Sequence, residues 1–154
     1  MGNYRKRPKG TYIEEATWEE LYSLTKHWKA DIEFYKDDSM FLHHLMDKYF
    51  IWIIEKDATQ VVKTLQDNLK KIDKKCEDLL TRINKHLLQL AHLVEQPDRE
   101  EGRMFRLEHT HLEDEFHEFT AFFRGNRMAI FTAVEGVVLN EKVRHLLGNL
   151  VDSE

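Results

Sequence analysis

Apolar side chains recur at alternating steps of three and four residues along the first part of the chain. This spacing predicts one long α-helix over about residues 17–56, because the positions form a continuous apolar seam over five heptads. Thr17 followed by Glu20 predicts a capping box at its start. The seam contains Trp18, Leu21, Thr25, Trp28, Ile32, Tyr35, Ser39, Leu42, Met46, Tyr49 and Ile53.

A second seam in a different register predicts a second helix over about residues 58–95. Continuing the first register would place Lys56, Gln60 and Lys63 in the core, so we expect the chain to turn near Asp57. Asp57 and Gln60 have the spacing of a second capping box. One unbroken helix is the alternative, because no Gly or Pro marks the turn. The second seam contains Ala58, Val62, Leu65, Leu69, Ile72, Cys76, Leu79, Ile83, His86 and Leu90.

Breaker residues set the predicted limits of a third helix. Pro97, Asp98 and Gly102 predict a loop, and the third helix follows over about residues 103–136, where Gly136 is expected to end it. On a helical wheel its apolar face collects Phe105, Leu112, Phe116, Phe119, Phe123, Ile130 and Val134.

A short helix is predicted over about residues 140–150, because an apolar stripe resumes there. The sequence therefore predicts an all-α fold: an elongated antiparallel bundle of three long helices (about 17–56, 58–95 and 103–136) and a short C-terminal helix (about 140–150). The stripe of the short helix contains Val143, Leu146, Leu147 and Leu150.

Composition and charge favour one helical domain. Of 154 residues, 42% are hydrophobic and 33% charged, and we expect a flexible basic tail at 1–12 before a single domain at 13–154.

The net charge is −5 and the tail is basic, so any nucleic acid is expected to bind only through the tail. The longest apolar run has six residues and Cys76 is the one cysteine, which together favour the cytoplasm and exclude a membrane span. The basic residues of the tail are Arg5, Lys6, Arg7 and Lys9.

A second apolar stripe follows the first helix about 110° around from its main seam. Phe34, Phe41, Leu45 and Trp52 form this stripe. One three-helix core does not need two apolar sides. The short C-terminal helix is long enough to cover Leu45 and Trp52, and we expect another chain to cover the rest of the stripe, with coverage within the chain as the alternative. The expected partner is a second copy of the chain or another helical protein.

Nine histidines raise the question of a metal site. Pairing the helices through the predicted turns brings Asp31, His86, Glu108, His111 and Glu115 to one layer of the bundle. Imidazole and carboxylate are ligands of iron and zinc, so this layer is the candidate metal site. The alternative is a polar layer that pairs internally and sets the register of the helices.

The sequence Glu108-x-x-His111 is similar to the motif of ferritin-like di-iron proteins. Those proteins carry the motif on two of four helices, whereas this chain has it once on three long helices, so the sequence assigns no family. It also contains no Gly-rich phosphate loop, no Gly-x-Ser-x-Gly elbow and no His-Glu-x-x-His motif, so we assign no catalytic residue.

The sequence favours two functions. The first is a non-enzymatic cytoplasmic interaction or scaffold protein that self-associates, which depends on the long helices and the second apolar stripe. The alternative is a metal-binding helical bundle for oxygen or metal handling, which depends on the histidine and carboxylate layer.

Overall fold

The computed structural model describes residues 15–56 and 59–152, so the basic tail and the proposed cap at Asp57 lie outside the described residues. Within these ranges the chain forms three helices and no strand: α1 (Trp18–Lys56), α2 (Thr59–Glu95) and α3 (Arg99–Asp152). The predicted all-α fold of three long helices is confirmed. Over the described part of the chain, no helix has an apolar stretch long enough to cross a membrane.

Side-chain caps begin two of the helices. Glu20 N donates a hydrogen bond to Thr17 Oγ1 at 3.1 Å, which is one of the two bonds of the predicted capping box, and the Thr17 hydroxyl donates to Glu20 Oε1 at 3.3 Å. At α3, Glu100 N and Glu101 N both donate to Asp98 Oδ1, at 2.9 and 3.2 Å. Asp98 is therefore an N-cap, and α3 begins earlier than its predicted start near residue 103.

The third helix also continues past its predicted end. α3 runs without a break through Gly136 to Asp152, so the predicted short C-terminal helix is joined to it. One glycine costs a helix only about 1 kcal/mol. Val134 and Val137, on either side of Gly136, are both buried, and their packing offsets that cost.

Two compact units make up the fold, and each takes one segment from every helix. The first combines the part of α1 up to Lys36 with Lys74–Ala121. Within it, Thr25 and Trp28 contact His109 and Phe116 in the same order along both helices, so α1 and α3 run in the same direction. Its core contains Leu21, Leu24, Trp28, Ile32, Cys76, Leu79, Ile83, Leu90, Leu93, Leu112, Phe116 and Phe119.

The second unit combines Asp37–Asp73 with the part of α3 from Phe122 onward. Asp73 accepts hydrogen bonds from Ser39 Oγ at 2.6 Å and His43 Nε2 at 2.7 Å, so α2 folds back along α1 and the single unbroken helix is excluded. Its core contains Leu42, Met46, Ile53, Val62, Leu65, Leu69, Ile72, Phe123, Ile130, Ala133, Val134 and Val137.

Two glycines of α3 differ in what an added methyl group would meet. A Cβ at Gly102 would lie 2.8 Å from the Trp18 ring, whereas a Cβ at Gly125 would meet nothing within 4 Å. We expect Gly125→Ala to raise the free energy of unfolding by about 0.5–1 kcal/mol, because alanine loses less backbone entropy in a helix. Gly102→Ala should give no such gain, since Trp18 must move. Urea unfolding of both variants measures the difference, and equal stabilisation by both would contradict it.

Candidate functional site

Two histidines lie in contact inside the core of the first unit. His86, on the α2 seam, and His109, on α3, are both almost completely buried. His86 Nε2 lies 3.0 Å from His109 Nδ1, and the His109 ring stacks on Trp28 with centroids 4.6 Å apart. Trp28 also stacks on Phe116, so apolar rings hold the imidazole in place.

A threonine hydroxyl lies beside the contact between the two imidazoles. Thr25 Oγ1 donates its proton to the Leu21 carbonyl at 2.7 Å, so it offers only lone pairs to His109 Nδ1, 3.5 Å away. Of the two ring nitrogens in contact, His86 Nε2 and His109 Nδ1, one donates the hydrogen bond and the other accepts it. Neither His86 Nδ1 nor His109 Nε2 makes a hydrogen bond with a described residue.

Burial keeps both imidazoles neutral. It lowers the pKa of His109 from 6.5 to about 3, and repulsion by Arg106, and by His86 if that ring were protonated, acts in the same direction. Burial also lowers the pKa of His86, although the Gln89 side chain and the Glu108 charge oppose the shift. A proton reaches this pair only at a large cost in free energy, unless the core opens.

The residues predicted to form a metal layer do not converge on this pair. Of the five, only His86 lies in the core, while His111 is exposed and Asp31 and Glu108 are partly buried. Glu115 accepts a hydrogen bond from Lys75 Nζ at 2.8 Å and pairs with Arg82.

An ion-pair network on α2 and α3 holds two of the predicted carboxylates. Arg82 pairs with Glu115 and lies 3.5 Å from Glu108, and Asp78 completes the group from α2 itself. Although partial burial works against it, the hydrogen bonds and charges of Lys75 and Arg82 lower the pKa of Glu115. These carboxylates are neutralised by cations, which makes them weaker metal ligands.

No set of three or more His, Cys, Asp or Glu side chains within 15–56 and 59–152 is arranged to hold a metal ion. Iron or zinc binding by Asp31, His86, Glu108, His111 and Glu115 stays a prediction.

His109 was not among the predicted site residues, and His111 lies further from the core than predicted. The buried positions of α3 recur at steps of seven, and a wheel with 3.6 residues per turn drifts away from such a repeat. Counting back by sevens from Ile130 through Phe123 and Phe116 reaches His109, so the signal was present in the sequence. The same repeat excludes His111, which lies two residues further along. The buried residues spaced seven apart are His109, Phe116, Phe123, Ile130 and Val137.

Polar contacts also join the helices of the second unit. Near its core, Asn68 Nδ2 donates to Asn126 Oδ1 at 3.2 Å, and at its surface Arg127 Nε donates to Asp38 Oδ2 at 2.7 Å. Asn126 is buried, so this amide pair contributes to the register between α2 and α3. Sequence pattern did not single out these four residues.

No protein-family model, curated protein or solved structure matches the chain. A functional assignment therefore depends on the geometry of the chain itself.

The neutral histidine pair makes stability depend on pH. Below about pH 6.5 the unfolded chain binds protons at His86 and His109 that the folded chain excludes. The free energy of unfolding therefore has its full value above that pH and falls as the pH drops. His109 contributes a slope of about 1.4 kcal/mol per pH unit between the two values of its pKa, 6.5 and about 3, and His86 acts in the same direction. Urea unfolding between pH 7.5 and 5.5 measures this slope, and a constant value would contradict the burial of two neutral imidazoles.

Replacing both imidazoles should remove that dependence. We expect His86→Leu combined with His109→Phe to unfold within about 1.5 kcal/mol of the native chain at pH 7.5, because both partners of the buried contact are lost together. The pH slope should flatten, whereas in His44→Gln, which changes an exposed histidine, it should persist. An unchanged slope in the double variant would assign the pH dependence to other groups.

Proposed function

We propose that this chain is a non-enzymatic interaction protein that self-associates through apolar side chains exposed in its second unit. The observation that carries the proposal is the number of large apolar residues left open to solvent on α1 and α3 of that unit. Single exposed apolar residues are ordinary, but several together are typical of a contact surface. They are Met40, Phe41, Ile51, Trp52, Phe122, Met128, Leu139, Leu146 and Leu147.

The exposure of the predicted stripe supports the proposal. In the second unit Phe41 and Trp52 are exposed and Leu45 is partly buried. Phe34, in the first unit, is 63% exposed. Phe41 also lies against Phe131 of α3, with ring centroids 6.4 Å apart, so the apolar surface includes side chains from two helices. Aromatic side chains in such positions are the usual anchors of protein interfaces.

The chemistry of the titratable groups favours a non-enzymatic role. His86 and His109 are enclosed in the core, and Glu108 and Glu115 are engaged with Arg82. A general acid or base must reach a substrate, which the two buried histidines do not, and the two carboxylates are held in ion pairs with a guanidinium group. The one thiol, on Cys76, is buried as well, and a single cysteine suits the cytoplasm.

A mass measurement tests self-association. We expect the native chain, of 18.5 kDa, to sediment as a dimer at micromolar concentration. Phe41→Glu combined with Trp52→Glu should dissociate it, because charged groups would enter an apolar contact. Leu88→Glu is the matched control: this residue is also exposed, on α2 of the first unit, and its change should leave the mass unaltered.

Two results would decide against the proposal. A native chain that stays monomeric at all concentrations would refute self-association and leave another helical protein as the partner. Dissociation by Leu88→Glu to the same extent would place the contact outside the second unit.

A further inference from the structure

The C-terminal part of α3 carries a largely apolar face that the described residues cover only in part, since Phe131 and Val138 are half-buried and the rest is exposed. From Phe131 to Leu146, six side chains share one side of the helix, about 100° wide at 100° per residue. Leu139 and Leu146 are 65% and 63% exposed. The buried residues Val134 and Val137 lie outside this face, on the side of α3 that packs in the core. The six are Phe131, Glu135, Val138, Leu139, Lys142 and Leu146.

Two shallow, open depressions lie along this face. A groove of about 370 Å³ is lined by Phe131, Val134, Glu135, Val138, Leu139 and Lys142. A second, of about 500 Å³, continues along Val138, Lys142, His145 and Leu146. Grooves between the side chains of one helix are where the side chains of a second helix pack.

The order of residues along the face is self-complementary. Glu135 and Lys142 lie at equal distances on either side of a point between Val138 and Leu139, and so do Phe131 and Leu146. In an antiparallel pair of two such helices, each carboxylate faces an ammonium group and each large apolar side chain faces another. A twofold axis between Val138 and Leu139 satisfies both conditions, as an isologous interface requires.

We propose that this face, Phe131 to Leu146, pairs antiparallel with the same face of a second copy, with Glu135 of each copy opposite Lys142 of the other. The inference rests on the proposed self-association and specifies its register. About four turns of helix per copy make a small interface, so we expect a dissociation constant in the micromolar range.

Charge reversal with rescue tests the register. Glu135→Lys and Lys142→Glu should each weaken the dimer by about tenfold, since each places like charges together at two symmetric positions. The double variant Glu135→Lys/Lys142→Glu restores opposite charges and should regain native affinity. Because the two positions lie two turns apart on one helix, contact within a single chain does not explain the rescue.

Arg144→Glu is the matched control. It makes the same change in net charge as Lys142→Glu on an exposed residue of the same helix, about 180° from the centre of the face. Its dimer affinity should equal that of the native chain. Sedimentation velocity of the full chain over about 1–100 µM measures all five proteins, and circular dichroism confirms that each is folded.

A cysteine placed beside the axis gives an independent measurement. In Leu139→Cys, the two new thiols of a dimer would come within disulfide distance, so oxidation should give a covalent dimer in high yield. Arg144→Cys should not cross-link, and the native Cys76 is buried.

The outcomes separate the two proposals. Rescue by the double variant, with cross-linking at position 139 alone, supports the antiparallel register. If neither charge reversal changes the dimer affinity, or if each single variant loses affinity and the double variant does not regain it, the register is wrong and self-association remains supported. A native chain that is monomeric up to about 100 µM overturns both.

Discussion

The helices depend on burying one apolar stripe each against the other two. A helix of this composition gains little from local propensity alone, and most of its stability comes from the packing of one face. The stripe of α2 is the most continuous, with buried residues from Val62 to Leu93. Polar groups that enter this core must find partners there, because an unsatisfied buried group costs more than a hydrogen bond contributes.

The polar groups in and beside the core each have partners that meet this requirement. His109 lies at a core position and is accommodated as a neutral ring, stacked on Trp28 and bonded to His86. In the second unit, the carboxylate of Asp73 is partly exposed and accepts hydrogen bonds from Ser39 and His43. One unit therefore excludes charge from its polar contact, while the other keeps charge at the border of the core.

The sequence was sufficient for the fold because the seams repeat many times. Every described seam position of α2 is buried. Errors in the prediction affect only where helices begin and end, as at Asp98 and Gly136. The candidate site depended on a single layer, where such an error changes which side chains meet. For this reason the histidine of α3 that lies in the core layer is His109 and not the predicted His111. Sequence pattern also does not show that Arg82 and Lys75 neutralise Glu115, since both lie on the polar side of α2.

The difference in helix length has a consequence for local unfolding. α3 has 54 residues, against 39 and 37 in α1 and α2, and the residues 144–148 near its end are all exposed. Amide hydrogens around Ile130 and Val137 exchange with solvent only when packed core opens, whereas those beyond Lys142 exchange through fraying of a single helix. The protection of this last segment thus reports directly on whether something is bound to it, independently of the stability of the core.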